Sequence, residues 1–559
     1  MSAMPTAPQV EEAAPAPSLS TAEALDRIKA KLIRPMPADR LRGWLLPLAV
    51  TVLAGITRFW RITRPGGHTL SSRNSLVFDE TYYAHDSWTL LHHGVELNGP
   101  GTGPGFVVHP PLGKWMMAVG ELLFDHGKDV VFGAGAKATV YPASLFSFRF
   151  SGALVGTLAI LMVARIARRM FRSTALGVIA GVLLSLDGLE FVQSRTAMLD
   201  IYLMFWVLAA FGCLVIDRDD GRRRLAERLT APLQPDEWGP WLGFRPWRLA
   251  AGICIGGACA TKWDGAFYIP ALLGLAIAWD VGARRTAGAR SGLWGGTVYA
   301  AGPALVTFVV VPAAVYLASW TGWFMSNSQY AYDHDLYVHS GQSWFAHDRA
   351  VLHGWWAYQV AIWHYADSLT WDANPHPYLS RPWGWLVMAR PVAYYYQAPH
   401  TCGASSCSQE VLGIGNPALW WATIPALIAV AWAWISRRDW RASAVLLMFL
   451  FGYLPWFRED AHHRVMFFFY MLPEVPFMAL AVTMVIGMAL SRGAASTLRQ
   501  TVAFGAVAVY LATTTVLFGF FYPVLAARTI TYDQWHERMW LHHCQSKPNK
   551  HQENAPCWI

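Results

Sequence analysis

Two adjacent carboxylates, Asp79 and Glu80 in "VFDETYYAHDSW", stand just beyond the first long apolar segment of a very apolar chain. A carboxylate can accept a proton from an attacking hydroxyl or neutralise a cation. Neighbouring residues point about 100° apart on a helix and opposite ways on a strand, so the two acids serve different atoms. One base and one partner for a cation is the natural division. The paired acids of glycosidases flank a bond across a gap, and adjacency argues against that chemistry. Cations for such a partnership occur in other segments: Arg149 in "SLFSFRFSG", Arg195 in "SRTAMLDIY", Lys262 in "ATKWDGAFY" and Arg464 before "VMFFFY". Arg149 sits among apolar residues and needs a carboxylate or phosphate. Arg195 and Asp200 are read as a structural or site pair.

The elements that position these groups are membrane spans. With 559 residues, 54% hydrophobic, 29 Trp and only 14% charged residues, the chain has too much apolar surface for one water-soluble core. A net charge of +8 could point to nucleic acid, but the basic residues cluster in short segments between apolar runs, where membrane orientation accounts for them. The reading is an all-α polytopic membrane protein with about eleven spans: 41–60, 145–167, 174–193, 197–216, 248–261, 265–281, 297–320, 417–436, 442–457, 465–489 and 499–522. Placing the N-terminus inside puts every arginine cluster on the cytoplasmic side. The C-terminal segment 523–559 and two large loops, 61–144 and 321–416, then lie outside. Residues 1–40, rich in Pro and Ala, are expected to form a disordered cytoplasmic tail. Cys402, Cys407, Cys544 and Cys557 fall in the outer segments and are candidates for two disulfides.

Within loop 61–144, Leu112, Trp115, Met116, Val119, Leu122 and Leu123 recur at helical spacing, as in a helix lying in the membrane interface. The aromatic stretches "HGWWAYQVAIWHY" and "RPVAYYYQ" suit the headgroup level. Loop "GPGTGPGF" reads as a flexible turn, and the paired histidines 92–93, 462–463 and 542–543 lack metal-ligand spacing. No metal or other cofactor is expected.

Nucleotide sugars are not ordinarily supplied outside a membrane, so a transferase there needs a lipid-linked donor. A glycosyl phosphate on a polyprenyl chain fits, because phosphate leaves without a general acid and nearby cations can stabilise its charge.

The ordered series "FDETYYAHD", "HPPLGK", "SFRFSGALVGT", "SRTAMLDIYLMFW", "ATKWDGAFY", "SRPWGWLVMARPVAYYY" and "RVMFFFYMLPEVPFMAL" resembles the motifs of protein O-mannosyltransferases, more narrowly the actinobacterial type. The resemblance covers residues 41–522. It implies a GT-C type glycosyltransferase domain that moves mannose from polyprenyl-phosphate mannose to Ser or Thr hydroxyls of secreted or membrane proteins, with inversion and without a metal. Carried over by motif, Asp79 matches the acid thought to act as base and Glu80 its neighbour. Arg149 matches the arginine of the second span, which implies a Glu80–Arg149 pair shaping the donor site. His109, Lys262 and Arg464 match positions that contact phosphate or sugar. Eukaryotic members insert a β-trefoil in the large outer loop, whereas 321–416 is too short and too aromatic for one. Acceptor selection then falls to the loops themselves or to the Sec translocon. The competing readings are a GT-C transferase acting on a lipid or cell-wall glycan, and a polytopic transporter.

Overall fold

The structure is a computed structural model and describes residues 20–65, 76–98, 105–124, 130–132, 139–141, 144–290, 293–326, 344–491, 497–541 and 557–558. In hydrocarbon every backbone polar group must find its partner inside the segment, so the apolar runs form helices. Eight are long and apolar enough to cross a membrane: Leu145–Phe171, Asp200–Arg228, Trp263–Ala287, Tyr299–Ser319, Pro417–Arg437, Trp440–Ala461, Phe468–Ala489 and Thr497–Leu525. The chain is a multi-pass membrane protein. The other three expected spans fall on Arg42–Phe59, 18 residues bounded by two arginines, on Thr174–Ser185, 12 residues, and on Pro246–Cys259, 14 residues. The last two are shorter than the roughly 20 residues a full crossing needs. Segment 174–193 breaks because Asp187 accepts the Glu190 backbone N–H at 2.9 Å and starts a separate helix, Gly188–Gln193.

The helices differ in what surrounds them. In Phe468–Ala489, 89% of the apolar window is buried, against 6% in Thr497–Leu525, so the former lies at the centre and the latter on the lipid-facing rim. Close crossings use small residues: a Cβ on Gly120 would stand 2.0 Å from the Ser147 carbonyl oxygen.

The expected interface helix is Leu112–Phe124. Its exposed face is the apolar one, Val119, Leu122 and Leu123, while Lys114 and Glu121 point inward. Lys114 bonds Glu96 at 2.7 Å and lies 3.4 Å from Asp86, and the Ser87 hydroxyl donates to Glu121 at 2.7 Å. The inward face is thereby tied to helix Glu80–His93, and the outward face is left to the membrane.

The expected helical membrane fold holds and carries one small sheet, and two other expectations need correction. Strands Val392–Gln397, Cys407–Gly413 and Ile530–Thr531 form an antiparallel sheet with Val392 opposite Gly413 and Ser408 opposite Ile530. The tyrosine run read as a headgroup belt is a strand, in keeping with aromatic β preference. The Cys402–Cys407 disulfide closes its hairpin, and Cys557 is also disulfide-bonded, whereas Cys544 lies outside the described residues. Described parts of segment 523–559 pack onto loop 321–416: the Trp535 indole donates to Glu410 at 2.6 Å and the Trp558 indole to the Met388 carbonyl at 2.7 Å.

The second correction concerns residues 20–32. They form helix Thr21–Leu32, started by a Ser20–Glu23 capping box, with Leu25, Ile28 and Leu32 packed around Leu225, Leu229 and Ala287. Apolar residues at this helical spacing outweighed the Pro- and Ala-rich composition upstream. At this end of the bundle the arginines have acidic partners: Arg168 with Asp39, Arg169 and Arg172 with Asp219, and Arg245 and Arg248 with Asp217 and Asp280.

Candidate active site

At the opposite end, Glu80 begins helix Glu80–His93 and Arg149 projects from helix Leu145–Phe171. Both side chains are 0% exposed and meet in a fork: Arg149 Nε and Nη2 each donate to a Glu80 carboxylate oxygen at 2.6 Å. Each has further partners. Glu80 accepts the backbone N–H groups of Val77 at 2.9 Å and Ala197 at 3.0 Å, while Arg149 Nη1 donates to the carbonyls of Ile62 and Arg64. A bidentate, fully bonded pair of this kind is a structural clasp. It joins the acidic motif, the turn after helix Arg42–Phe59 and the turn before helix Asp200–Arg228. Glu80 has no lone pair left over for a substrate proton.

Asp79 is different. It occupies the N-cap position, where an aspartate commonly accepts a backbone N–H, yet its side chain makes no cap bond. Among the described residues its hydrogen-bond partner is the Tyr83 hydroxyl, one helical turn on, at 3.4 Å. Burial pushes its carboxyl up to about 6, with the charge of Lys262 pulling down, that of Asp200 pushing up and the Tyr83 bond pulling down. Tyr83, itself raised far above the ordinary phenol range by burial and by Asp79, stays protonated as the donor.

The preceding residue sets the aim. Phe78 has φ 46°, a left-handed conformation uncommon for an aromatic residue, and its ring meets Tyr394, Phe467, Phe469 and His376 edge-on at 5.3–6.1 Å. These rings come from the sheet and from the segments around Trp371 and Phe468. They hold the backbone in a conformation it would otherwise leave.

The cations expected around the donor are present with partners. Lys262 donates to Asp200 at 2.9 Å, lies 3.7 Å from Asp264 and sits over the Tyr470 ring at 4.6 Å. Arg464 is half-buried and bonds Glu459 at 3.1 Å. His109 packs against Tyr83 with ring centres 6.0 Å apart, and burial together with the charges of Lys262, Lys114 and Arg464 drives its pKa well below the ordinary value, so the ring is neutral. Asp79, Tyr83, His109, Lys262, Arg464 and Tyr470 thus share one electrostatic neighbourhood.

Residues 48–326 match the family described as dolichyl-phosphate-mannose-protein mannosyltransferase, and residues 351–544 match the C-terminal four-transmembrane region of protein-O-mannosyltransferase. A polyprenol-phosphate-mannose–protein mannosyltransferase of Mycobacterium tuberculosis is 38% identical over 90% of this chain and 92% of its own length. The chain belongs to the protein mannosyltransferase family. A relative of the same name from Corynebacterium glutamicum is 31% identical over 88% of this chain and 92% of that protein. In fold, the chain is similar to the S. cerevisiae Pmt1-Pmt2 complex bound to the sugar donor, with TM-score 0.66, 16% identity and coverage of 92% and 94% of the two chains. The fold is thus of the GT-C type.

Within this family frame, one pairing expected from sequence is overturned. Arg195 and Asp200 do not form a pair: Asp200 receives Lys262, while Arg195 donates to the carbonyls of Thr57, Arg58, Trp60 and Arg61. Arg195 thus closes the C-terminal end of helix Arg42–Phe59, whose last carbonyls lack intrahelical donors. Nearness along the chain suggested the wrong partner. Sequence reasoning also missed Tyr83, Tyr394 and Tyr470: it placed Tyr394 at the headgroup level and gave the other two no role. The Asp79-to-Tyr83 spacing of one helical turn was the available signal. Among the described residues no group of three or more His, Cys, Asp or Glu is arranged to hold a metal.

Proposed function

We propose that the chain transfers mannose from polyprenyl-phosphate mannose to Ser or Thr hydroxyls of proteins, with Asp79 as base. The observation that carries the assignment is the contrast among neighbouring carboxylates: Glu80 is bonded on all sides by Arg149 and backbone N–H groups and Asp200 is held by Lys262, whereas Asp79, among the described residues, has one long bond from Tyr83. With a pKa near 6, Asp79 is ionised at neutral pH and basic enough to accept a proton in the transition state.

The acceptor oxygen attacks the anomeric carbon as the bond from that carbon to the phosphate oxygen breaks. The hydroxyl proton passes to Asp79, and polyprenyl phosphate leaves with the electron pair. Attack from the face opposite the phosphate inverts the anomeric centre. Arg464 and Lys262 stabilise the departing phosphate, and neutral His109 offers it or the sugar one N–H. Glu80 and Arg149 position Asp79 and touch no substrate. The scheme uses no metal, since phosphate departs without one.

The site faces the extracytoplasmic side and the N-terminus the cytoplasm, a reading supported by the acid-paired arginines gathered at the other end. The helical region 41–522 is the catalytic domain. Acceptors are selected by the outer loops or handed over by the Sec translocon, and a crosslinker placed in loop 321–416 separates the two.

The test supplies membranes with radiolabelled polyprenyl-phosphate mannose and a Ser/Thr-rich peptide, comparing wild type with Asp79→Asn. Label should enter the peptide with wild type and fall by about two to four orders of magnitude in the variant. Equal labelling would remove Asp79 as base. Label entering only lipid would favour the glycan-acceptor alternative.

A further inference from the structure

Behind the Glu80–Arg149 clasp, at the same end of the bundle as Asp79, lies a cavity of about 210 Å³ walled by Trp60, Arg61, Arg64, Arg195, Tyr522 and Arg528. Its walls border the clasp through the turn at 61–64, whose carbonyls Arg149 holds, and through Arg195, two residues before the Ala197 N–H that Glu80 accepts, whereas Asp79, Tyr83, His109, Lys262 and Arg464 are not among its walls. Four guanidinium groups meet here, and among the described residues no carboxylate lines the cavity. Arg195 is buried and spends its amino groups on carbonyl oxygens. Among the described residues Arg61, Arg64 and Arg528 have no ion pair, and residues 60–76 contain no Asp or Glu at all. This differs from the other end of the bundle, where each clustered arginine named above has an acidic partner.

Crowding of like charges in a partly buried site raises its free energy unless an anion offsets it. Burial and the charges of Arg61 and Arg528 press the Arg64 guanidinium below its ordinary value. Three or four guanidinium groups around a cavity of this size suit one tetrahedral phosphate, which offers acceptors in several directions.

The surroundings say what carries that phosphate. The cavity sits at the ends of helices Arg42–Phe59 and Thr497–Leu525. Both turn bare apolar residues outward: Val52, Leu53 and Ile56 on one, Val509 and Val516 on the other. Trp60, 59% exposed, and Tyr522 stand at the rim, where amphipathic rings meet the headgroup layer. A phosphate arriving here is flanked by surface that only hydrocarbon covers well. We propose that this cavity binds the phosphate of an anionic membrane lipid headgroup, the acyl chains lying along the two exposed helices.

The experiment titrates the purified full chain in neutral detergent with phosphatidylglycerol, phosphatidylcholine or inorganic phosphate, reading bound lipid by native mass spectrometry and stability by thermal unfolding. Phosphatidylglycerol should bind saturably and raise the unfolding temperature, and the other two should not. The triple variant Arg61→Gln/Arg64→Gln/Arg528→Gln should bind phosphatidylglycerol about a hundredfold more weakly, from roughly a factor of five per arginine. Unchanged affinity in the triple variant would overturn the proposal. So would phosphatidylcholine binding equally well, or inorganic phosphate alone reproducing the shift, which would make the site one for a soluble anion. Should the triple variant fail to fold, Arg528→Gln alone, on an exposed residue, should weaken binding about fivefold. None of these readouts depends on mannosyl transfer, so the site and the transferase reading can fail separately.

Discussion

Glu80 and Asp79 are adjacent in the chain, yet their surroundings have opposite character. Around Glu80 each carboxylate oxygen has two donors, and the opposing charge lies at 2.6 Å. Around Asp79, among the described residues, there is one hydrogen bond of 3.4 Å, a lysine charge committed to Asp200 and, in Asp200, a neighbouring carboxylate that raises its pKa. The first region is at rest, with every donor and acceptor matched. The second holds an unmet demand for a proton. With Asp79 as the proposed base, the structural and the reactive acid are distinguished by satisfaction, not by burial or by position in the motif.

The sharpest way to break this contrast is to unbalance the resting side. Arg149→Met strands Glu80 as a buried charge and should cost about 3–5 kcal/mol of stability, read by denaturant titration in detergent. Glu80→Gln/Arg149→Met together should cost far less than the two single losses added, because the double change leaves no unpaired charge. Additive losses would show that the two side chains act independently. On the reactive side, Asp79→Asn should lower transfer by about two to four orders of magnitude while leaving the unfolding temperature close to that of wild type, since no tight partner is lost.

The pH dependence follows from the raised pKa. A base must be ionised, so transfer should rise as pH increases through about 6 and level off above it. The two groups flanking Asp79 should move this limb in opposite directions. Lys262→Met removes the charge that pulls the pKa down and shifts the limb to higher pH, whereas Asp200→Asn removes the one that pushes it up and shifts the limb lower. The smallest effect belongs to Tyr83→Phe, which forfeits one neutral-to-charged hydrogen bond: about a threefold to tenfold loss in transfer, with the limb moved slightly upward.

Much of this arrangement was legible beforehand. Apolar runs located the eight long helices because hydrocarbon leaves the backbone no other solution, and chain geometry alone divided the roles of two adjacent acids. Other features depended on contacts between distant segments. Lys262 lies 62 residues from Asp200, and no local pattern could prefer it over Arg195, five residues away. Tyr394 looked like a headgroup anchor because a ring with one wet edge serves either purpose, and only packing decides which. Helix Thr21–Leu32 hid beside a Pro-rich stretch whose composition dominated the reading.

The left-handed turn at Phe78 has a consequence for biosynthesis. The rings that brace it belong to Tyr394, Phe467 and Phe469, more than 300 residues downstream of the proposed base, Asp79. A ribosome that has released only the first half of the chain has made the reactive acid without the rings that brace its aim. On the proposed role of Asp79, competence is tied to near-completion of the polypeptide, and a nascent fragment in the membrane should stay silent until its own second half arrives to focus it.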